Sequence, residues 1–142
     1  MTPKTLSAND FPTAETMPGK VTGLRGKSLD TLTLDSALSG ELEMEDLRIT
    51  PDALLRQAEI ARSVGRSALA MNFERAAEMT RLPQEEVMKI YELLRPGRAR
   101  ALAELEEAAE RLRHDFEAPR LATFVLQAAE LYARRGMYRT RY

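Results

Sequence analysis

The chain has a single imidazole, His114, and no cysteine or tryptophan. A catalytic histidine moves a proton to or from a group held within hydrogen-bond reach. Glu110 stands four residues earlier, so an ion pair along one helix is open to His114. A nucleophile or second acid would have to come from elsewhere in the fold. The plain expectation for His114 is a surface or capping role. Glu104, Glu106, Glu107 and Glu110 form the densest group of carboxylates. Di-metal bundles combine such acids with Glu-x-x-His motifs on facing helices, and this chain carries none. Glu107 and Arg111 also lie one turn apart, which predicts a salt-linked, solvated helix face.

Two further stretches could bind anions. Gly23, Gly26, Lys27 and Ser28 spell G-x-x-G-K-S. A phosphate loop needs two more residues between the glycines, because a shorter loop cannot turn enough backbone N–H groups toward one phosphate. Nucleotide binding is not expected here. At the other end, Arg134, Arg135, Arg139 and Arg141 alternate with Tyr132, Tyr138 and Tyr142. Arginine grips phosphate and tyrosine stacks on bases, so this tail is the best argument for RNA. A helix C-terminus favours arginine without any ligand, however. The tail is read instead as a clamp for an acidic protein surface, and no nucleic acid is expected as a partner.

Composition narrows the field. The chain has 142 residues, 21 basic and 22 acidic side chains, and a formal charge of -1. That is not the balance of a typical nucleic-acid binder. Seventeen of the basic residues are arginine, whose rigid donor fork suits interfaces. Residues 1–50 carry five basic and eight acidic groups, against sixteen and fourteen in residues 51–142. Without cysteine there is no disulfide and no thiolate site. No apolar run approaches a membrane span, and the first ten residues lack a secretory core, so a cytoplasmic protein is expected.

Along the chain, Pro3, Pro12, Pro18, Gly19, Gly23 and Gly26 interrupt any regular element in the first thirty residues. This arm is either disordered alone or ordered against a partner, with Phe11, Met17, Val21, Leu24 and Leu29 as its anchors. Thr31–Leu34 suits a short strand, or Asp35 equally suits the cap of one helical turn through Leu38, ended by Gly40. Leu47 and Ile49, around an outward Arg48, suit an extended segment. Thr50-Pro51-Asp52 then marks a helix start. Helices are predicted from there to about Gly65, from Arg66 through Met79, and from Pro83 to Arg95-Pro96-Gly97. Two more carry Leu102, Leu105, Ala109, Leu112 and Phe116, and then Leu121 through Tyr132 to a stop at Gly136. The fold class is mostly α: a small bundle of about five helices with a long extended N-terminal arm. The division expected is arm 1–49, helical domain 50–136 and basic aromatic tail 137–142.

Several motifs carry a family resemblance. Asn72-Phe73-Glu74-Arg75-Ala76-Ala77-Glu78 resembles the N-F-x-R-A-A-E run of the small (gamma) subunit of adenosylcobalamin-dependent diol and glycerol dehydratases. Asp10-Phe11-Pro12 resembles its D-Y-P, and Gly26-Lys27-Ser28-Leu29 its G-K-P-L. Leu32-Thr33-Leu34 and Leu38-Ser39-Gly40 resemble I-T-L and L-S-G. Asp46-Leu47-Arg48-Ile49 resembles D-x-R-I, Gln57 to Ala61 resembles Q-A-x-I-A, and Ile90-Tyr91 with Leu94-Arg95-Pro96 resembles I-Y-x-x-L-R-P. The matches run in order over roughly residues 10 to 135. Phe11, Ser28 and Gly97 depart from the commoner residues of the pattern.

The resemblance implies an accessory subunit of a hydro-lyase, with no catalytic, cofactor or metal residue on this chain. Its implied partners are a large (alpha) subunit with a barrel and substrate site, and a medium (beta) subunit, in a dimer of heterotrimers. Adenosylcobalamin would be held by the large and medium subunits, and the reaction would remove water from propanediol or glycerol. Expected interface residues are Phe11, Leu24, Leu29, Leu32, Phe73, Arg75 and Arg95. For Arg95, a partner carboxylate and a cap on its own chain are equal alternatives. The N-terminal stretch looks short for a shell-encapsulated enzyme, which favours a glycerol-type or unencapsulated form, while microcompartment association stays open. The rival readings are a free-standing helical protein- or RNA-binding module and a self-contained enzyme using Glu104–Glu110.

Overall fold

The computed structural model describes residues 5–138. Of the basic aromatic tail, Arg139, Arg141 and Tyr142 lie outside the described residues. The chain forms two compact units, one ending at Thr80 and the other beginning at Arg81. Among the described residues there is no β-sheet, only one isolated bridge between Thr22 and Ser28. The mostly helical class with an N-terminal extension is therefore what the chain adopts.

In the first unit, short turns lead to a helical hairpin. The short helices are α1 (Thr13–Thr16), α2 (Leu34–Leu38) and α3 (Met44–Leu47), with single 3-10 turns at Ala8–Asp10, Pro18–Lys20 and Leu29–Thr31. Of the two alternatives at Thr31–Leu38, helix forms and strand does not, but its cap is Thr33 and not Asp35, which falls within the first turn. Thr33 Oγ1 accepts the Ser36 N–H at 3.2 Å, and the Ser36 hydroxyl accepts the Thr33 N–H at 3.0 Å. That reciprocal cap outweighs the β-propensity of the preceding residues. The extended segment expected around Leu47 also needs correction. Leu47 ends α3, and the backbone extends only from Arg48 (φ -73°, ψ 139°).

Helices α4 (Pro51–Ser63) and α5 (Ser67–Met79) make the hairpin. Thr50 Oγ1 accepts the Ala53 N–H at 3.1 Å, Pro51 fills the first position, and Asp52 faces the positive end. Gly65 turns the chain at φ +76°, where a side chain would be strained. The contact between the two helices is built from Ala58, Ala61 and Ala70, with Phe73 packed against them. Alanine lets the backbones approach closely. The arm joins this unit through Leu6, which is buried and donates its N–H to Glu59 Oε2 at 2.9 Å. The Arg56 guanidinium donates to the Lys20 carbonyl.

The second unit holds α6 (Gln84–Leu94), α7 (Leu102–His114) and α8 (Pro119–Arg134). Leu105, Ala109 and Leu112 of α7 meet Leu121, Ala122, Val125 and Ala129 of α8. Leu105, Leu112 and Val125 are its largest fully enclosed side chains, each contributing about 1.5–3 kcal/mol by burial. Leu102, expected on the same seam, is exposed, and Phe116 is half-buried. Tyr132 donates its hydroxyl to the Leu94 carbonyl, and Tyr138 donates to the Ala129 carbonyl at 2.8 Å. The two rings meet edge to face at 6.3 Å. Burial, then the nearby charges of Glu106 and Tyr132, raise the Tyr138 phenol above its ordinary range.

Candidate partner interface

The residues best suited to chemistry are engaged locally along α7. His114 Nε2 lies 3.0 Å from Glu110 Oε2, and both side chains are mostly solvent-facing. Glu110 also takes Arg113 at 3.1 Å, and Glu104 accepts the Arg100 N–H at 3.1 Å. The expected Glu107–Arg111 pair gives way to a stronger one. Arg111 reaches from α7 to Glu86 of α6 at 2.6 Å, where the carboxylate is largely buried and gains more from a cation. Among the described residues, no three metal-ligating side chains come together.

The glycine-rich stretch has a different use. Gly23 N–H donates to the Lys27 carbonyl at 2.9 Å, and Gly26 N–H to the Gly23 carbonyl at 3.0 Å. The resulting turn presents Arg25 to Asp46 Oδ2 at 3.1 Å and to Glu43 at 3.1 Å. Lys27 lies 4.0 Å from the same Asp46 oxygen and donates to the Glu41 carbonyl at 2.5 Å. Asp46 Oδ2 also accepts the Glu43 N–H at 3.0 Å, which caps α3. The Asp46 side chain has 0% exposure, and its Oδ1 is enclosed without a hydrogen bond. A Cβ on Gly23 would stand 2.8 Å from the Asp46 carbonyl oxygen, so glycine is required for the turn to lie this close. The loop cations therefore serve an internal carboxylate. Sequence reasoning missed this latch. Its only local trace is Glu43-x-x-Asp46, a capping pattern opening a short helix.

Around the latch lies a groove of about 230 Å³. Leu29 and Leu32 line it together with Val21, Leu47 and Ile49. Leu24 lines an adjoining depression that shares Thr22, Gly23 and Thr50 with the first. Leu24 and Leu29 are each 53% exposed, and Phe11 is 57% exposed. Leu34, Leu38, Met44, Leu47 and Ile49 are also more than half exposed. The structure thus gathers Leu24, Leu29 and Leu32 in one region, and Phe11 is not among the residues lining it. Phe73 belongs to the α4–α5 contact. Arg75 is half-buried and donates to the Asn72 side chain. Arg95, in the other unit, is exposed and forks onto Glu92 at 3.0 and 3.2 Å.

Residues 6–139 match the dehydratase small subunit family. The propanediol dehydratase small subunit of Citrobacter freundii is 44% identical over 131 residues, which is 92% of this chain and 76% of that protein. That of Salmonella typhimurium strain LT2 is 42% identical over 134 residues, 94% of this chain and 77% of that protein.

Proposed function

This chain belongs to the dehydratase small-subunit family, and on that premise we propose that it supports a propanediol or glycerol dehydratase that uses adenosylcobalamin. Its partners in this reading are a large, barrel-bearing subunit and a medium subunit, two of each with two small chains. It contributes assembly and rigidity, and water removal takes place on the large subunit. Residues 1–49 act as the arm, 50–136 as the helical body and 137–142 as a terminal clamp.

One observation carries the proposal. The arm follows a defined path on its own chain, yet it leaves eight large apolar side chains more than half exposed: Phe11, Leu24, Leu29, Leu34, Leu38, Met44, Leu47 and Ile49. A concentration of this kind marks a surface that another protein covers. Phe11, Leu24, Leu29 and Leu32 are the arm's contacts in this reading. Phe73 and Arg75 on α5, and Arg95 at the end of α6, are further contact points.

The residues present do not fit the cofactor. The sole imidazole is exposed and engaged by Glu110 on one helix face, not set in an enclosed site. In this reading cobalamin is held by the large and medium subunits, and no reaction step is given to this chain.

Co-expression with large and medium subunits of such a dehydratase tests the reading. Replacing Phe11, Leu24 and Leu29 with serine leaves the buried residues untouched. The triple variant is expected to fold, to lose co-purification with the large subunit and to lower complex activity. Unchanged recovery and activity would refute the role given to the arm.

A further inference from the structure

We propose that the groove beside Leu29 and Ile49 seats an extended, carboxylate-bearing segment of a partner subunit; this rests on the small-subunit reading above and names the chemistry of what is bound. The first argument is charge. Lys20, Lys27, Arg48 and Arg56 line the two adjoining depressions, against only Asp46 and Asp52. Asp46 is already matched by Arg25. Lys27 shares Asp46 with Arg25, whereas Arg56 is bonded to a neutral carbonyl, so its charge is not cancelled there. Among the described residues, Lys20 and Arg48 have no ion-pair or hydrogen-bond partner for their side chains. The rim is therefore net positive around an apolar lining, and a segment combining carboxylates with apolar side chains complements it.

The second argument is the backbone. Arg48 and Thr50 are both extended. Among the described residues, the C=O of Arg48 and the N–H and C=O of Ile49 form no backbone hydrogen bond outside the helices. An extended stretch with open donors and acceptors, flanked by apolar side chains, is the arrangement that accepts an added strand. The turn at Gly23–Lys27, latched to Asp46, holds the opposite side of the groove in place. An acidic extended segment would pair its main chain with residues 48–49, direct a carboxylate to Arg48 and set an apolar side chain among Leu29, Leu32 and Ile49.

The test uses the full chain assembled with its large and medium subunits. Arg48→Lys places a primary amine at this position, and a carbodiimide then joins it to any carboxylate in direct contact. Peptide mapping is expected to find it joined to an aspartate or glutamate of a partner subunit. Arg48→Glu and Ile49→Asp, both at exposed positions, are each expected to weaken association by roughly tenfold or more. Far-UV circular dichroism should stay that of the unmodified chain. Coupling only within the same chain or to a second copy of it, or variants that bind as tightly as the unmodified chain, would overturn the proposal. If the unmodified chain itself fails to join the complex, the small-subunit reading falls and takes this proposal with it.

Discussion

Replacing Asp46 with asparagine should release the arm and leave the helical hairpin standing. Asp46 Oδ2 accepts from Arg25 at 3.1 Å and from the Glu43 N–H at 3.0 Å, while Oδ1 is enclosed with no partner. An amide keeps one oxygen for these donors but loses the charge. Hydrogen bonds to a charged group contribute about 1.5–3 kcal/mol against about 0.5–1.5 for neutral ones, so each bond drops by about 1 kcal/mol. The new NH₂ group would also be enclosed without an acceptor. Arg25 is 38% exposed, so water recovers much of its lost pairing, and the Coulomb part must be discounted. The net cost comes to about 2 kcal/mol. Hydrogen exchange reads this residue by residue. Exchange at Gly23 N–H, which closes the turn, and at Glu43 N–H, which Asp46 caps, should accelerate by roughly thirtyfold. Amides within α4 and α5 should change little. Acceleration below about threefold at both positions would mean the latch does not hold the arm. Equal acceleration through α4 and α5 would mean the first unit opens as one body, which refutes a local latch.

Four further expectations follow from the same contacts. Gly23→Ala drives a Cβ against the Asp46 backbone and should cost about 1–3 kcal/mol of arm stability, read by the same exchange measurement. Leu112→Ala opens a void between α7 and α8 and should cost about 2–5 kcal/mol in urea denaturation. Glu86→Gln weakens the 2.6 Å pair with Arg111, which is partly exposed, and should cost about 1–2 kcal/mol in the same assay. The Tyr138 phenol is raised in the folded chain, so its protonated form is favoured by folding. This stabilisation is complete below the ordinary phenol value of 10.0 and is lost as pH rises through the folded value. An ultraviolet titration should show a late phenol component that disappears in Tyr138→Phe.

The five long helices were legible because their signals are local. Thr50-Pro51-Asp52 states a cap, a fixed φ and a charge at one helix end, and Arg95-Pro96-Gly97 states a stop. Apolar residues at three- and four-residue spacing did the rest, and Leu105, Ala109 and Leu112 are buried as that spacing requires. Leu102 shows the limit of the pattern. It keeps the spacing but is exposed, because periodicity names a helix face without saying how far along it a neighbour reaches. Arg111 shows the limit for charge. Glu107 is its neighbour along the helix, but Glu86 is buried and so competes better.

The interface divides in the same way. Residue type alone marked Phe11, Leu24 and Leu29 as apolar side chains stranded in a segment too broken by proline and glycine to bury them. It also showed that one histidine and no cysteine leave little for catalysis. Tertiary structure alone decided that Arg25 and Lys27 turn inward to Asp46, some twenty residues away, and not outward to an anion. It alone set Leu29 and Leu32 beside Ile49 in a shared groove. The physical reason is range. Caps, turns and helix faces follow from interactions within about four residues, whereas a buried ion pair and a groove depend on where distant backbone comes to rest.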